Sequence, residues 1–206
     1  MDFRDFSEPA VEIAGLRTGH DALIATISAS APHPTAPSLL PGWTIGHVLV
    51  HVAHNADGYR SVHAGRPQYE SYDARDRAID AEAGRPLDEI VATMAVAHTA
   101  LVDAFEAEHD FGRPVQMLVR PSQPGLMILG RRREIEVHHL DLDLGRQPAD
   151  IDTDYVERDV TMLAAWWEAK NRAPLPHDVA AGPPLDRWMW LVGRAPRDGL
   201  APAALF

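Results

Sequence analysis

A chain of 206 residues can build one domain with a sizeable core, or one domain and a small appendage. Nineteen Lys+Arg against thirty Asp+Glu leave a net charge of −11, which argues against a nucleic-acid backbone or an anionic lipid surface as partner. Cysteine is absent, which excludes a disulfide framework, a Cys-ligated zinc site and a Cys nucleophile, so any thiol used here must arrive from outside.

Four long segments carry helical periodicity. The first runs from about Glu8 to Ser30, with Val11, Ala14, Leu16, Leu23, Ile24 and Ile27 as apolar positions and Pro9 in the first turn. Four prolines make 31–42 a loop. Thr44 is the expected N-cap of a second helix, Ile45 to about Ala64, closed by Gly65-Arg66-Pro67. Residues 68–83 are polar and read as a connector with a short helical piece. A third long helix begins near Pro86 and reaches about Glu108, burying Leu87, Ile90, Val91, Met94, Leu101, Val102 and Phe105. Residues 111–123 are irregular or extended. The fourth helix covers about Gly125 to Leu144, with Gly145 as its stop.

Four such helices predict a mainly α fold, a four-helix bundle, over residues 1–149. Its long first two loops make a crossed-over topology as good a fit as up-down. Beyond it, 150–206 reads as a small C-terminal domain of α or α/β type, shortened. A helix begins at Asp154-x-x-Glu157 and runs to about Lys170. A Pro-rich loop follows, then the short amphipathic GPPLDRWMWLVGR (182–194). The Trp pairs 166/167 and 188/190 are assigned to the core of this appendage. No run of about eighteen apolar residues spans a membrane. MDFRDFSEPA has acids where a signal peptide needs a basic start, so the cytoplasm is the expected compartment.

Histidine and carboxylate cluster twice, in GHVLVHVAHNAD (46–57) and in REIEVHHLDLD (133–143). Residues four apart share a helix face, so Glu134 and His138 form a ready pair of metal ligands. His51, from a facing helix, completes a two-His, one-carboxylate set with positions left open, as catalytic Zn²⁺ is commonly held. His47–His51 (i,i+4) and Glu136–His139 (i,i+3) permit other triads, and spacing alone leaves these open. The second helix places His47 and His54 nearly opposite its apolar face and His51 at the flank. The fourth helix is apolar all round, hence largely buried, so Glu134, Glu136, Asp141 and Asp143 need partners. Arg131, Arg132 and Arg133 suit that task better than anion binding. Phosphate-loop and Gly-x-Ser-x-Gly motifs are absent.

LLPGWTIGHVLVHVAHNADGY (39–59), YDARDRAIDAEAGRPLDEIVA (72–92) and RRREIEVHHLDLDLG (131–145), in that order, resemble the actinobacterial mycothiol-dependent maleylpyruvate isomerase family of the DinB-like superfamily. GPPLDRWMWLVGR resembles its small C-terminal domain. The resemblance implies a DinB-like bundle with a divalent metal, usually zinc, on His51, Glu134 and His138, and mycothiol as cofactor. Two departures bear on the substrate pocket. The family often reads Arg-Trp-Arg-Glu at 131–134, and this chain ends twelve residues after Arg194.

The function so implied is a metal- and mycothiol-dependent isomerase of maleylpyruvate type. A thiolate adds to a conjugated C=C, the resulting single bond rotates, and the thiolate leaves. Metal coordination would hold the thiol deprotonated. Arg194 is assigned the catalytic cation, Arg131 and Arg133 substrate carboxylates, and Asp141 the orientation of His138. The alternatives are a mycothiol S-transferase acting on electrophiles in detoxification or biosynthesis, and a non-catalytic small-molecule-binding bundle. The expected partners are the substrate and mycothiol, with no nucleic acid or membrane, in a monomer or homodimer.

Overall fold

The computed structural model describes residues 8–118, 120–195 and 203. The chain divides into two compact units, Met1–Arg146 and Gln147–Phe206. In the first, α1 (Pro9–Ser30), α2 (Ile45–His63), α4 (Leu87–Glu106) and α5 (Pro124–Asp141) form the bundle, and α3 (Tyr72–Glu82) lies on α2. α2 packs on α4 and α5, and α1 packs on the same two helices, so the four close a ring around one core. A small antiparallel hairpin, β1 (Val115–Gln116) with β2 (Pro121–Ser122), precedes α5. No helix among the described residues is long and apolar enough to cross a membrane.

Local chemistry sets these boundaries. Pro9 opens α1, and Ala31 closes it at φ 41°. Ser71 caps α3 by accepting from the Ala74 N–H at 3.1 Å. Gly46 is required at the start of α2, because an added Cβ would overlap the Ala83 carbonyl oxygen. α5 ends at Asp141, earlier than the Leu144 expected from sequence. Asp143 adopts φ 56° before Gly145 does so at φ 96°. A short polar side chain tolerates the left-handed region, so Asp143 supplies the stop. It is exposed and needs no buried partner, which corrects the expectation made for it.

Every residue of α5 except Glu134 is buried. A second polar feature lies in the core. The His20 ring of α1 stacks on His98 of α4, centroids 3.7 Å apart and planes 4° from parallel.

The second unit contains α6 (Thr153–Asn171), α7 (His177–Ala180) and α8 (Pro184–Leu191). Asp152, rather than Asp154, caps α6 by accepting from the Asp154 and Tyr155 N–H groups. Buried Asp159 accepts from Trp188 Nε1 at 2.8 Å and from the Tyr155 hydroxyl at 3.3 Å. Trp188 and Trp190 are core residues, whereas Trp166 and Trp167 are only half-buried. That corrects half of the sequence assignment, although the Trp167 ring does meet Trp190 edge-on at 4.9 Å.

Burial and then Arg131 lower the pKa of His20 to about 4; burial, His20 and Arg131 lower that of His98 to about 3. An unfolded histidine titrates near 6.5, so the unfolded chain binds more protons as pH falls from 6.5 to about 4. This contribution to stability is complete above pH 6.5 and is lost on acidification through that window. His98→Phe keeps a stacked ring and removes one titrating site. Urea unfolding should show a pH slope shallower than the parent's by up to about 1.4 kcal/mol per pH unit, one proton's worth. An identical slope in both proteins would contradict the assignment.

Candidate metal centre

The start of α2 separates two histidines that spacing leaves equivalent. Thr44 Oγ1 accepts from the His47 N–H at 3.4 Å, and the Thr44 N–H donates to His47 Nδ1 at 3.2 Å. His47 is therefore half of a reciprocal cap. His51, one turn on, is buried, and Trp43 places its ring 5.5 Å from the imidazole.

On α5 the i,i+4 spacing brings Glu134 and His138 to the same place. Glu134 Oε2 lies 3.1 Å from His51 Nε2 and 3.4 Å from His138 Nε2. The two imidazoles meet edge-on with centroids 4.6 Å apart. One ligand atom from each of the three residues fits within a 4.8 Å span, the metal-type cluster found among the described residues. The other triads that spacing permits are dispersed: His139 Nε2 meets Thr26 Oγ1 at 2.9 Å, and Glu136 accepts from Arg146 at 2.8 Å.

Asp141 sets the tautomer of His138. Its Oδ2 lies 2.9 Å from Nδ1, and an ionised carboxylate only accepts. The Nδ1 proton is thus held there, and the ring is oriented with Nε2 toward Glu134. The Asp141 carbonyl in turn accepts from the Leu39 N–H at 2.8 Å, which ties the Pro-rich loop to the end of α5. Burial lowers the pKa of His51 and keeps it neutral, as a ligand must be. Burial opposes the charge on Glu134, but hydrogen bonds from His138 and His51 outweigh it and hold the carboxyl well below its ordinary range. For His138, burial is outweighed by Asp141 and Glu134, and the pKa rises. A two-nitrogen, one-oxygen set of this kind suits a borderline-soft divalent ion with positions left over.

The arginines of α5 have partners other than those expected. Arg131 is fully buried and donates through Nη1 to the Val52 carbonyl at 2.9 Å and to Asn55 Oδ1 at 2.8 Å. Burial lowers its pKa to about 10, with the charge of Glu134 opposing. It has no exposed face, so the expected substrate contact at Arg131 is corrected to a structural role against α2. Arg132 pairs with Glu12 of α1 at 3.4 Å, both buried. Arg133 is buried, and its charge acts on Tyr59 and Arg120. Arg194, in the second unit, donates through Nη1 to the Val192 carbonyl at 3.0 Å. Sequence reasoning missed Trp43 and Asn55. The signals available were an aromatic just before the α2 cap and an amide one turn after His51.

The sequence profile of the mycothiol maleylpyruvate isomerase N-terminal domain matches residues 16–143. No curated protein matches the chain in sequence. Among solved structures, a mycothiol-dependent maleylpyruvate isomerase superposes with TM-score 0.81 at 19% identity, covering 95% of this chain and 92% of that one. A histidine-to-alanine mutant of such an enzyme gives TM-score 0.80 at 18% identity with the same coverage.

The capping geometry makes a prediction of its own. Thr44→Ala should cost about 1 kcal/mol of stability through loss of the cap. His47→Ala should leave zinc uptake at the parent's level in a chelator-competition titration. Loss of uptake in that variant would place His47 among the ligands.

Proposed function

Because the chain belongs to the mycothiol maleylpyruvate isomerase family, we propose that it isomerises a maleylpyruvate-like cis-enone diacid, with mycothiol and a divalent metal, foremost zinc, as cofactors. The observation that supports this best is the meeting of His51 Nε2, His138 Nε2 and one Glu134 oxygen in a DinB-like bundle. The three residues fit the metal in donor type and in spacing.

When bound, the metal deprotonates a thiol at neutral pH, and the thiol supplies reversible addition to the conjugated carbon. The chain's residues do the rest. His51 and His138 present neutral nitrogens, and Glu134 adds one negative charge. Asp141 holds the proton on His138 Nδ1 and so aims Nε2. Trp43 covers the His51 ring and limits water on that side. Arg133 is assigned to a substrate carboxylate, while the charge that develops as the thiol adds falls on the conjugated carbonyl oxygen. No cysteine competes for the metal or the electrophile. In this reading the partners are the diacid and mycothiol, in the cytoplasm.

The decisive assay is conversion of maleylpyruvate to its trans isomer by zinc-loaded protein, with and without mycothiol. Turnover is expected only with the thiol. Full activity in thiol-free buffer would refute the reading. Accumulation of a thioether conjugate instead of trans product would favour an S-transferase.

His51→Ala should abolish stoichiometric zinc binding with helicity retained, and Asp141→Ala should weaken binding about 10–100-fold. Unchanged zinc affinity in either variant would remove the corresponding assignment.

A further inference from the structure

The two candidate ligand histidines are oriented by different means. His138 gives its Nδ1 to Asp141 Oδ2 at 2.9 Å. His51 Nδ1 is buried and meets no hydrogen-bond partner among the described residues. A ligand imidazole normally takes its direction from an acceptor on the nitrogen away from the metal. The terminal torsion of a histidine is broad and roughly two-fold, so a ring without such an acceptor must be held by what packs on it. Among the described residues, two rings pack on His51. His138 meets it edge-on at 4.6 Å, and Trp43 lies tilted by 58° with centroids 5.5 Å apart. His138 is itself a candidate ligand, which leaves Trp43 as the ring contact from outside the triad.

Trp43 is fixed in turn by the loop that carries it. Its N–H donates to the Leu40 carbonyl at 3.0 Å. Its carbonyl accepts from the Ser38 N–H at 3.1 Å and from Ser38 Oγ at 2.9 Å. Pro37 and Thr44 pair as an antiparallel bridge, and Gly42 turns the chain at φ 80°. The Ile45 N–H donates to the Ala36 carbonyl at 2.9 Å and the Gly46 N–H to the Pro34 carbonyl at 2.7 Å, which ties the loop to the first turn of α2. The indole also lies 6.2 Å from the His47 ring with planes 30° apart, so it spans one turn of α2. The His47 ring is anchored by the Thr44 N–H. The same loop reaches the other ligand histidine, because the Leu39 N–H donates to the carbonyl of Asp141 at 2.8 Å.

We infer that Trp43 is a positioning residue for the metal: its ring sets the angle of His51 and so aims Nε2 at the place where Glu134 and His138 converge. The loop 37–44 thereby orients both histidines, one through the indole and the other through Asp141. The inference rests on the metal reading of this site. It adds a chemical requirement, which is a flat ring at position 43 rather than apolar bulk. A smaller aromatic ring should serve, and a branched aliphatic side chain should not.

The test uses the full chain without thiol or substrate. Zinc affinity is read by chelator competition, and the geometry of the centre by the visible absorption of cobalt in place of zinc. The parent should take up cobalt stoichiometrically. Trp43→Ala should bind zinc about 2–10-fold more weakly, the value of an aromatic pair beyond its burial, and should shift the cobalt bands. Trp43→Phe should recover both the affinity and the spectrum. Trp43→Leu, which keeps apolar bulk without a ring, should behave like Trp43→Ala. A purely structural role would move the Phe and Leu variants alike and leave the cobalt bands in place. The inference is overturned if Trp43→Ala keeps the parent's affinity and spectrum, or if Trp43→Leu restores them as well as Trp43→Phe does. Where Trp43→Ala fails to fold, the contrast between Phe and Leu decides alone. A parent that takes up neither zinc nor cobalt refutes the metal reading and the inference with it. A metal-loaded parent whose variants all match it refutes the inference alone.

Discussion

Eight ionisable side chains on one almost entirely buried helix are the constraint on which the first unit depends. Each charge that α5 brings into the bundle needs a counterpart; His138 finds Glu134 and Asp141 on α5 itself, and several others are met from outside the helix. Glu12 of α1 meets Arg132, and Thr26 of α1 meets His139. Val52 and Asn55 of α2 receive Arg131. Arg146, just past the helix, closes on Glu136, and Leu39 in the Pro-rich loop holds the Asp141 carbonyl. Breaking one buried charged pair typically costs about 3–5 kcal/mol, more than most single apolar contacts. The register of α1 and α2 against α5 is therefore set by polar pairing as much as by the leucines and valines around it.

The candidate metal centre is a local outcome of the same arrangement. Arg131 lies one turn before Glu134 on α5, and Asn55 lies one turn after His51 on α2. The Arg131–Asn55 bond thus aligns the two helices one turn away from the place where His51 and Glu134 meet. The buried positive charge of Arg131 also disfavours protonation of His20 and His98. Those rings stay neutral and stacked. Glu134 remains the ionised group at the centre, which is what a cation requires.

The helices were legible in the sequence because apolar residues recur at helical spacing, and α1, α2 and α4 begin and end within two residues of their expected bounds. The Glu134–His138 pair was legible from i,i+4 spacing alone. The choice of His51 over His47 was left open by spacing, was favoured by helix register and was given by the family resemblance; the Thr44 cap that engages His47 is a backbone interaction that spacing does not encode. The end of α5 was misplaced because glycine is the stronger helix-stop signal and Asp143 took the left-handed position first. The arginine partners were illegible for another reason: Arg132 and Glu12 lie 120 residues apart, and local pattern carries no information on such a pair.

The account's central claim is that His51, Glu134 and His138 hold a metal whose open position receives the sulfur of an external thiol. X-ray absorption at the zinc edge addresses this most directly. Zinc-loaded protein should show nitrogen and oxygen neighbours at about 2.0–2.2 Å and no sulfur, since the chain has no cysteine. Addition of mycothiol should introduce one sulfur neighbour at about 2.3 Å. A nitrogen and oxygen shell unchanged by saturating mycothiol would contradict the account.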